Sequence, residues 1–167
     1  MRKPVTLALA AAAAAITATA GVTAASAAPA ATHAASGTEY IQVMSTATGS
    51  SGPASAIARG VFTAAGQTQL GNAKVSTIRF PGGTIVLSHR QAHGSERFSP
   101  ASCLSLVSQS GSYRIVRGTG RYAGISGHGT YQLSILAIGA RSGGKCSQSK
   151  PPVTFQQIIK AQGPVSL

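Results

Sequence analysis

The sequence predicts an all-β protein: an antiparallel closed barrel of about eight strands around a central cavity, with no substantial helix in the mature chain. Three observations carry this. From residue 39 onward, short segments of alternating apolar and polar residues recur at regular spacing, joined by glycine-rich turns. No amphipathic helical pattern of useful length follows the first thirty residues. One crossing, Gly118-Thr119-Gly120-Arg121-Tyr122-Ala123-Gly124-Ile125-Ser126-Gly127-His128-Gly129-Thr130-Tyr131, concentrates glycines and two tyrosines between two strand-patterned segments. Glycine at that density marks backbone conformations that a Cβ forbids, or another segment passing very close. The expected picture is a strand, a tight irregular turn plugged by Tyr122, and a long strand leaving it. Closing the sheet removes exposed edges, which matters in a chain with few charged edge breakers.

The elements follow in order. A first strand is expected over 39–48, with Tyr40, Gln42 and Met44 on one face and Ile41 and Val43 on the other. Gly49-Ser50-Ser51-Gly52-Pro53 reads as a turn. Residues 56–69 read as one strand whose Gly60 and Gly66 mark a bulge or bend. A strand over 73–80 meets the hairpin signal Pro81-Gly82-Gly83 and returns over 84–90, with Ile85, Leu87 and His89 on one face. Residues 91–101 are polar and read as the longest irregular connection. Strands over 103–109 and 112–117 form a hairpin across Ser110-Gly111. After the crossing, residues 130–138 alternate Tyr131, Leu133, Ile135 and Ala137 on one face. A loop over 139–152 carries Cys146, and a last strand spans 153–162, where Gln156 and Gln157 break the apolar pattern and at least one points inward.

The first residues have a different character. Met1-Arg2-Lys3 precedes an alanine-rich apolar run ending in small residues, the pattern of a secretory signal peptide over 1–27. Ala25-Ser26-Ala27 offers one cleavage site and Ala28-Pro29-Ala30 another, and residues 28–38 read as a disordered leader. The general secretory route fits, since no twin arginine is present. Removing residues 1–27 from the 167-residue chain leaves 140, one domain, with no later apolar run long enough to span a bilayer. Twelve of the fourteen Lys and Arg lie in that part against only Glu39 and Glu96, giving +10. Salt bridges therefore contribute little; apolar burial and sheet hydrogen bonds must hold the fold. The positive surface favours polyanions, anionic cell-wall polymers among them, or serves only to prevent self-association. No basic run interleaved with aromatics supports specific nucleic-acid recognition. Cys103 and Cys146 are the only cysteines, and an oxidising compartment would pair them.

Catalytic signals are sparse. His89 and His93, four apart on a strand and loop, do not converge on a metal, and no metal or cofactor is expected. Glu96 beside Arg97 reads as a loop anchor, although Glu96 and His89 are the two candidates for a proton handler. The chain has no aspartate, so a Ser-His-Asp triad is impossible. Gly118-x-Gly120-x-x-x-Gly124 lacks the strand-to-helix setting of a dinucleotide fingerprint.

The run from Gly118 to Tyr131 resembles the G-T-G-x-[FY]-x-G-x-x-G-x-G crossing of the allene oxide cyclase and dirigent superfamily, and Phe80-Pro81-Gly82-Gly83-Thr84 is similar to a hairpin two strands upstream in that group. The strand layout looks most like that of small secreted actinobacterial members. The resemblance implies an eight-stranded antiparallel barrel with a central cavity. It carries over no catalytic residue, because the cavity aspartates of plant dirigent proteins have no counterpart here and the polar groups of the plant cyclases cannot be placed. Together these readings predict a secreted, non-enzymatic barrel binding a small apolar or amphipathic molecule, with His89, Leu87, Tyr131, Leu133 and Gln157 facing it. The alternatives are a cyclase-type isomerase working in the same lumen and a cationic exoprotein docking on envelope polymers.

Overall fold

The computed structural model describes residues 35–48, 52–70, 74–147 and 149–167; the expected signal peptide, residues 28–34 of the expected leader and part of the 49–53 turn lie outside them. The strands are β1 (Ser36–Ser45), β2 (Gly52–Arg59), β3 (Ala64–Leu70), β4 (Val75–Phe80), β5 (Gly83–Ser99), β6 (Leu104–Gly118), β7 (Ser126–Ile138), β8 (Arg141–Ser142), β9 (Lys145–Cys146) and β10 (Thr154–Ser166). Eight of them close a barrel in the order β1-β10-β7-β6-β5-β4-β3-β2, every neighbouring pair antiparallel, while β8 and β9 form a separate small hairpin. The all-β closed barrel is thus the fold, and its interior takes alternate residues of each strand.

One end is solid. Phe62, Phe80 and Tyr122 pack their rings at centroid distances of 5.0 to 5.8 Å. Ile85, Ile115, Ile125 and Val165 bury beside them. Tyr122 belongs to a single 3-10 turn, Gly120–Tyr122, between β6 and β7. The turn begins with Gly120 at φ +59°. Gly118 lets the turn fold back, because a Cβ there would strike the carbonyl oxygen of Tyr122 and the Ile125 side chain. The glycine-rich crossing is therefore a plug that brings an aromatic ring to the barrel axis.

Several boundaries differ from the sequence reading, for identifiable reasons. β1 begins at Ser36, inside the expected leader, because its first residues pair with the end of β10 (Ser36↔Ser166). Residues 56–69 are two strands, since the chain reverses after Gly60, which adopts φ +142°. Residues 91–99 are not a loop but the continuation of β5, paired with β6 out to Ser99↔Leu104. β4 pairs with β5 only as far as Val75↔Ser88, so among the described residues this upper part of β5 pairs with β6 alone. Exposed on both faces, it has no reason to alternate. Ser110-Gly111 is not a turn either; β6 runs straight through it, and Gly111 accommodates the ring of Tyr131, whose Cε1 lies 2.8 Å from where a Cβ would be.

At the opposite end from the plug, Cys103 and Cys146 form a disulfide with Cα atoms 5.4 Å apart. It joins the start of β6 to the segment between β7 and β10. Gly139 N–H donates to the Cys103 carbonyl at 2.8 Å, and the Arg141 guanidinium donates to the carbonyls of Ala101 and Gly144. No helix among the described residues is long and apolar enough to cross a membrane.

Candidate functional site

Above the aromatic plug the interior side chains leave part of the lumen open. β2 packs Ala54, Ala56 and Ala58 into the core and lines none of the open space, whereas β3 lines it with Thr68 and Leu70, and β10 with Gln157, Ile159 and Ala161. A barrel of eight strands is wide enough to hold one small molecule when its layers are left unfilled. The result is a cavity of about 410 Å³, within the range of small-molecule sites.

All five residues expected to face a ligand, Leu87, His89, Tyr131, Leu133 and Gln157, lie on the wall of this cavity. The alternation on β5 and β7 put the first four there. On β10, Gln157 points in while Gln156 is exposed. Most of the remaining wall is aliphatic, with Ile41, Val43, Ile78 and Ile135 prominent. Among the described residues, neither Lys, Arg, Asp nor Glu lines it.

The polar groups fall into two kinds. His89 is half-buried, with Nε2 3.2 Å from Ser76 Oγ and its ring edge-on to Tyr131 at 6.0 Å. Burial holds the His89 pKa below the usual imidazole value, so the ring is neutral at physiological pH. Burial likewise raises the Tyr131 phenol. The second kind has no partner among the described residues: Tyr113 Oη and Gln157 Oε1 are buried, and both residues line the cavity. A buried donor or acceptor without a partner costs roughly 1–3 kcal/mol, and neither atom is exposed to the cavity, so both sit behind its wall.

Glu96, the other expected proton handler, is not part of this site. It is exposed on the upper part of β5, opposite Val107, and does not line the cavity; the loop-anchor reading fails because that segment is a strand. His93 is also exposed and outside the cavity.

The chain's other acid is the residue that the sequence reading overlooked. Glu39 is fully buried near the plug. Its Oε2 accepts the Phe62 N–H at 3.1 Å, and its Oε1 has no hydrogen-bond partner among the described residues. Burial pushes its pKa up, partly offset by the backbone N–H groups around it; burial first, and then the charge of Glu39, raises the pKa of Tyr113. A signal was available: Glu39 shares strand parity with Ile41 and Val43, which bury. Because the folded pKa is raised, the stabilising neutral form is fully present below the ordinary carboxyl value of 4.5 and is lost as pH climbs from there through the folded value. Glu39→Gln should therefore match the wild type in thermal unfolding near pH 4 and exceed it by a few degrees near pH 7. Equal melting temperatures for the two proteins across that range would show the carboxylate to be fully satisfied by its backbone donors.

Compared with known proteins, the chain matches no family model, no curated protein and no solved structure.

Proposed function

We propose that this chain is an exported barrel that carries a small, uncharged, mainly apolar molecule in its lumen. The observation that supports this best is the cavity wall: largely aliphatic, with no charged side chain among the described residues, and edged by neutral polar side chains such as Ser76, His89 and Gln109. Such a wall favours an apolar body bearing a hydroxyl or carbonyl, which would meet those neutral polar groups. An ionised ligand would be stripped of water with no countercharge to receive it. The signal-peptide pattern of residues 1–27 and the disulfide are consistent with export.

Native mass spectrometry of protein purified from its own culture supernatant tests the reading. A bound mass that disappears on denaturation is expected. A companion variant, Leu133→Trp, places an indole in the void and should weaken binding of a neutral solvatochromic dye at least tenfold while leaving the fold intact. Dye binding that survives Leu133→Trp unchanged, together with a clean apo mass, would overturn the proposal.

One observation favours a second reading, the isomerase or cyclase suggested by the resemblance to the allene oxide cyclase superfamily. His89 faces the cavity as a neutral imidazole beside Ser76, able to take a proton from a bound substrate. A captured ligand that wild-type protein alters chemically and His89→Ala does not would mark an isomerase; unaltered recovery from both would mark a carrier.

A further inference from the structure

The outer wall of β2, β1, β10 and β7 holds a second depression, about 640 Å³. Its outward side chains form two rungs fixed by strand register. One runs Arg59, Tyr40, Gln162, Thr130, and the next runs Ile57, Gln42, Lys160, Gln132. Four strands at sheet spacing make each rung roughly 14 Å wide, and the rungs lie about 7 Å apart. Tyr40 is 50% exposed, an unusual place for a large aromatic. Among the described residues, no side-chain hydrogen bond or ion pair engages Tyr40, Arg59, Lys160 or the three glutamines.

We infer that this face is a binding groove for an anionic polysaccharide. An exposed aromatic surface stacks on the C–H face of a sugar ring, primary amides hydrogen-bond vicinal hydroxyls, and the two cations stand where carboxylate or phosphate substituents would fall. Charge complementarity selects the occupant. The groove contains Arg59 and Lys160 and no acid; Glu39 is buried inside the barrel and Glu96 stands on β5, which contributes nothing to the groove. A second copy of the chain is the poorer fit, since a two-fold contact through this face would set Arg59 and Lys160 of one copy against the same cations of the other. Nucleic acid is also a poorer fit, because one tyrosine and two cations offer neither a stacking series nor a phosphate track.

The test is affinity electrophoresis and calorimetry of the wild type with polygalacturonate, with neutral dextran and a single-stranded oligonucleotide for comparison. Binding to polygalacturonate alone is expected, weakening as salt shortens the screening length. Tyr40→Ala should weaken it about fivefold. Arg59→Ala/Lys160→Ala should weaken it at least tenfold. Arg90→Ala/Lys145→Ala removes the same charge from exposed positions elsewhere and should leave binding unchanged. Equal losses from the two double variants would mean non-specific attraction to net charge and overturn the proposal. So would an oligonucleotide bound as tightly as the polyuronate, or no binding at all. Leu133→Trp, which fills the lumen, should bind polygalacturonate like the wild type, so failure here is distinguishable from failure of the lumen reading.

Discussion

Tyr122→Ala should lower the unfolding free energy by about 3–5 kcal/mol, the range for removing a large ring from a packed interior. Tyr122 is fully buried, and its ring is packed against Phe62 and Phe80 at 5.0 and 5.8 Å. The surrounding backbone cannot relax into the space it would leave. Gly83 and Gly118 already bring β5 and β6 into contact with the crossing, and a Cβ at Gly83 would lie 3.1 Å from the Tyr122 ring. A rigid frame keeps a cavity open, and an open cavity is what makes a large-to-small change expensive. For a domain whose total stability is of the order of 5–15 kcal/mol, the loss would bring it close to unfolding at growth temperature. Tyr122→Phe is the control. It removes only a long hydrogen bond to the Pro81 carbonyl, 3.5 Å, and should cost less than about 1 kcal/mol. Urea denaturation with an unchanged slope and a shifted midpoint would measure both. A loss under about 1 kcal/mol for Tyr122→Ala would mean that the aromatic plug does not hold the floor of the barrel.

What was legible in the sequence follows from how each strand is covered. β7 through Tyr131 and Leu133 has one face on the lumen and one on solvent, and β5 keeps the same parity at Leu87 and His89 although Val86 on its other face is also buried, so their alternation could be read directly. Glycine density at the crossing announced the plug. The segment 91–99 was misread because β4 stops short and both its faces meet solvent, which removes the periodicity that identifies a strand. Gly111 was misread because a glycine that admits a neighbouring ring and a glycine that makes a turn look the same in sequence. Glu39 was passed over because a lone acid at a strand start is ordinarily solvated; its burial depends on the turn after β2 folding beneath it so that Phe62 N–H can meet the carboxyl group. The cavity itself was only partly legible. Its wall residues follow from parity, whereas its volume depends on how side chains from strands distant in sequence meet across the lumen.

Opening the disulfide by Cys103→Ser/Cys146→Ser should destabilise the fold by about 4 kcal/mol in the chain-entropy model. The two cysteines are 43 residues apart in sequence, and the loop between them contains β6, the plug and β7, so the constraint on the unfolded chain is large. Nothing in the charge pattern can offset the loss, because the only acids outside the expected signal segment are Glu39, which is buried, and Glu96. The native state would also change, at one end. The bridge anchors the segment after β7 across the upper end of β6, where Gly139 N–H meets the Cys103 carbonyl and Ser147 N–H meets the Ala140 carbonyl at 2.7 Å. Cys103 moreover holds φ at +56°, a conformation that a non-glycine residue adopts at a cost on the order of 1–2 kcal/mol. Without the cross-link that residue has reason to relax, and the two amides should exchange with solvent faster while those of the plug end, Tyr122 and Ile125, keep their relative protection. Denaturant titration gives the global figure and hydrogen exchange gives its location. A small global loss with unchanged exchange at Gly139 and Ser147 would show that the bonds from Arg141 to Ala101 and Gly144, rather than the disulfide, hold this end of the barrel in place.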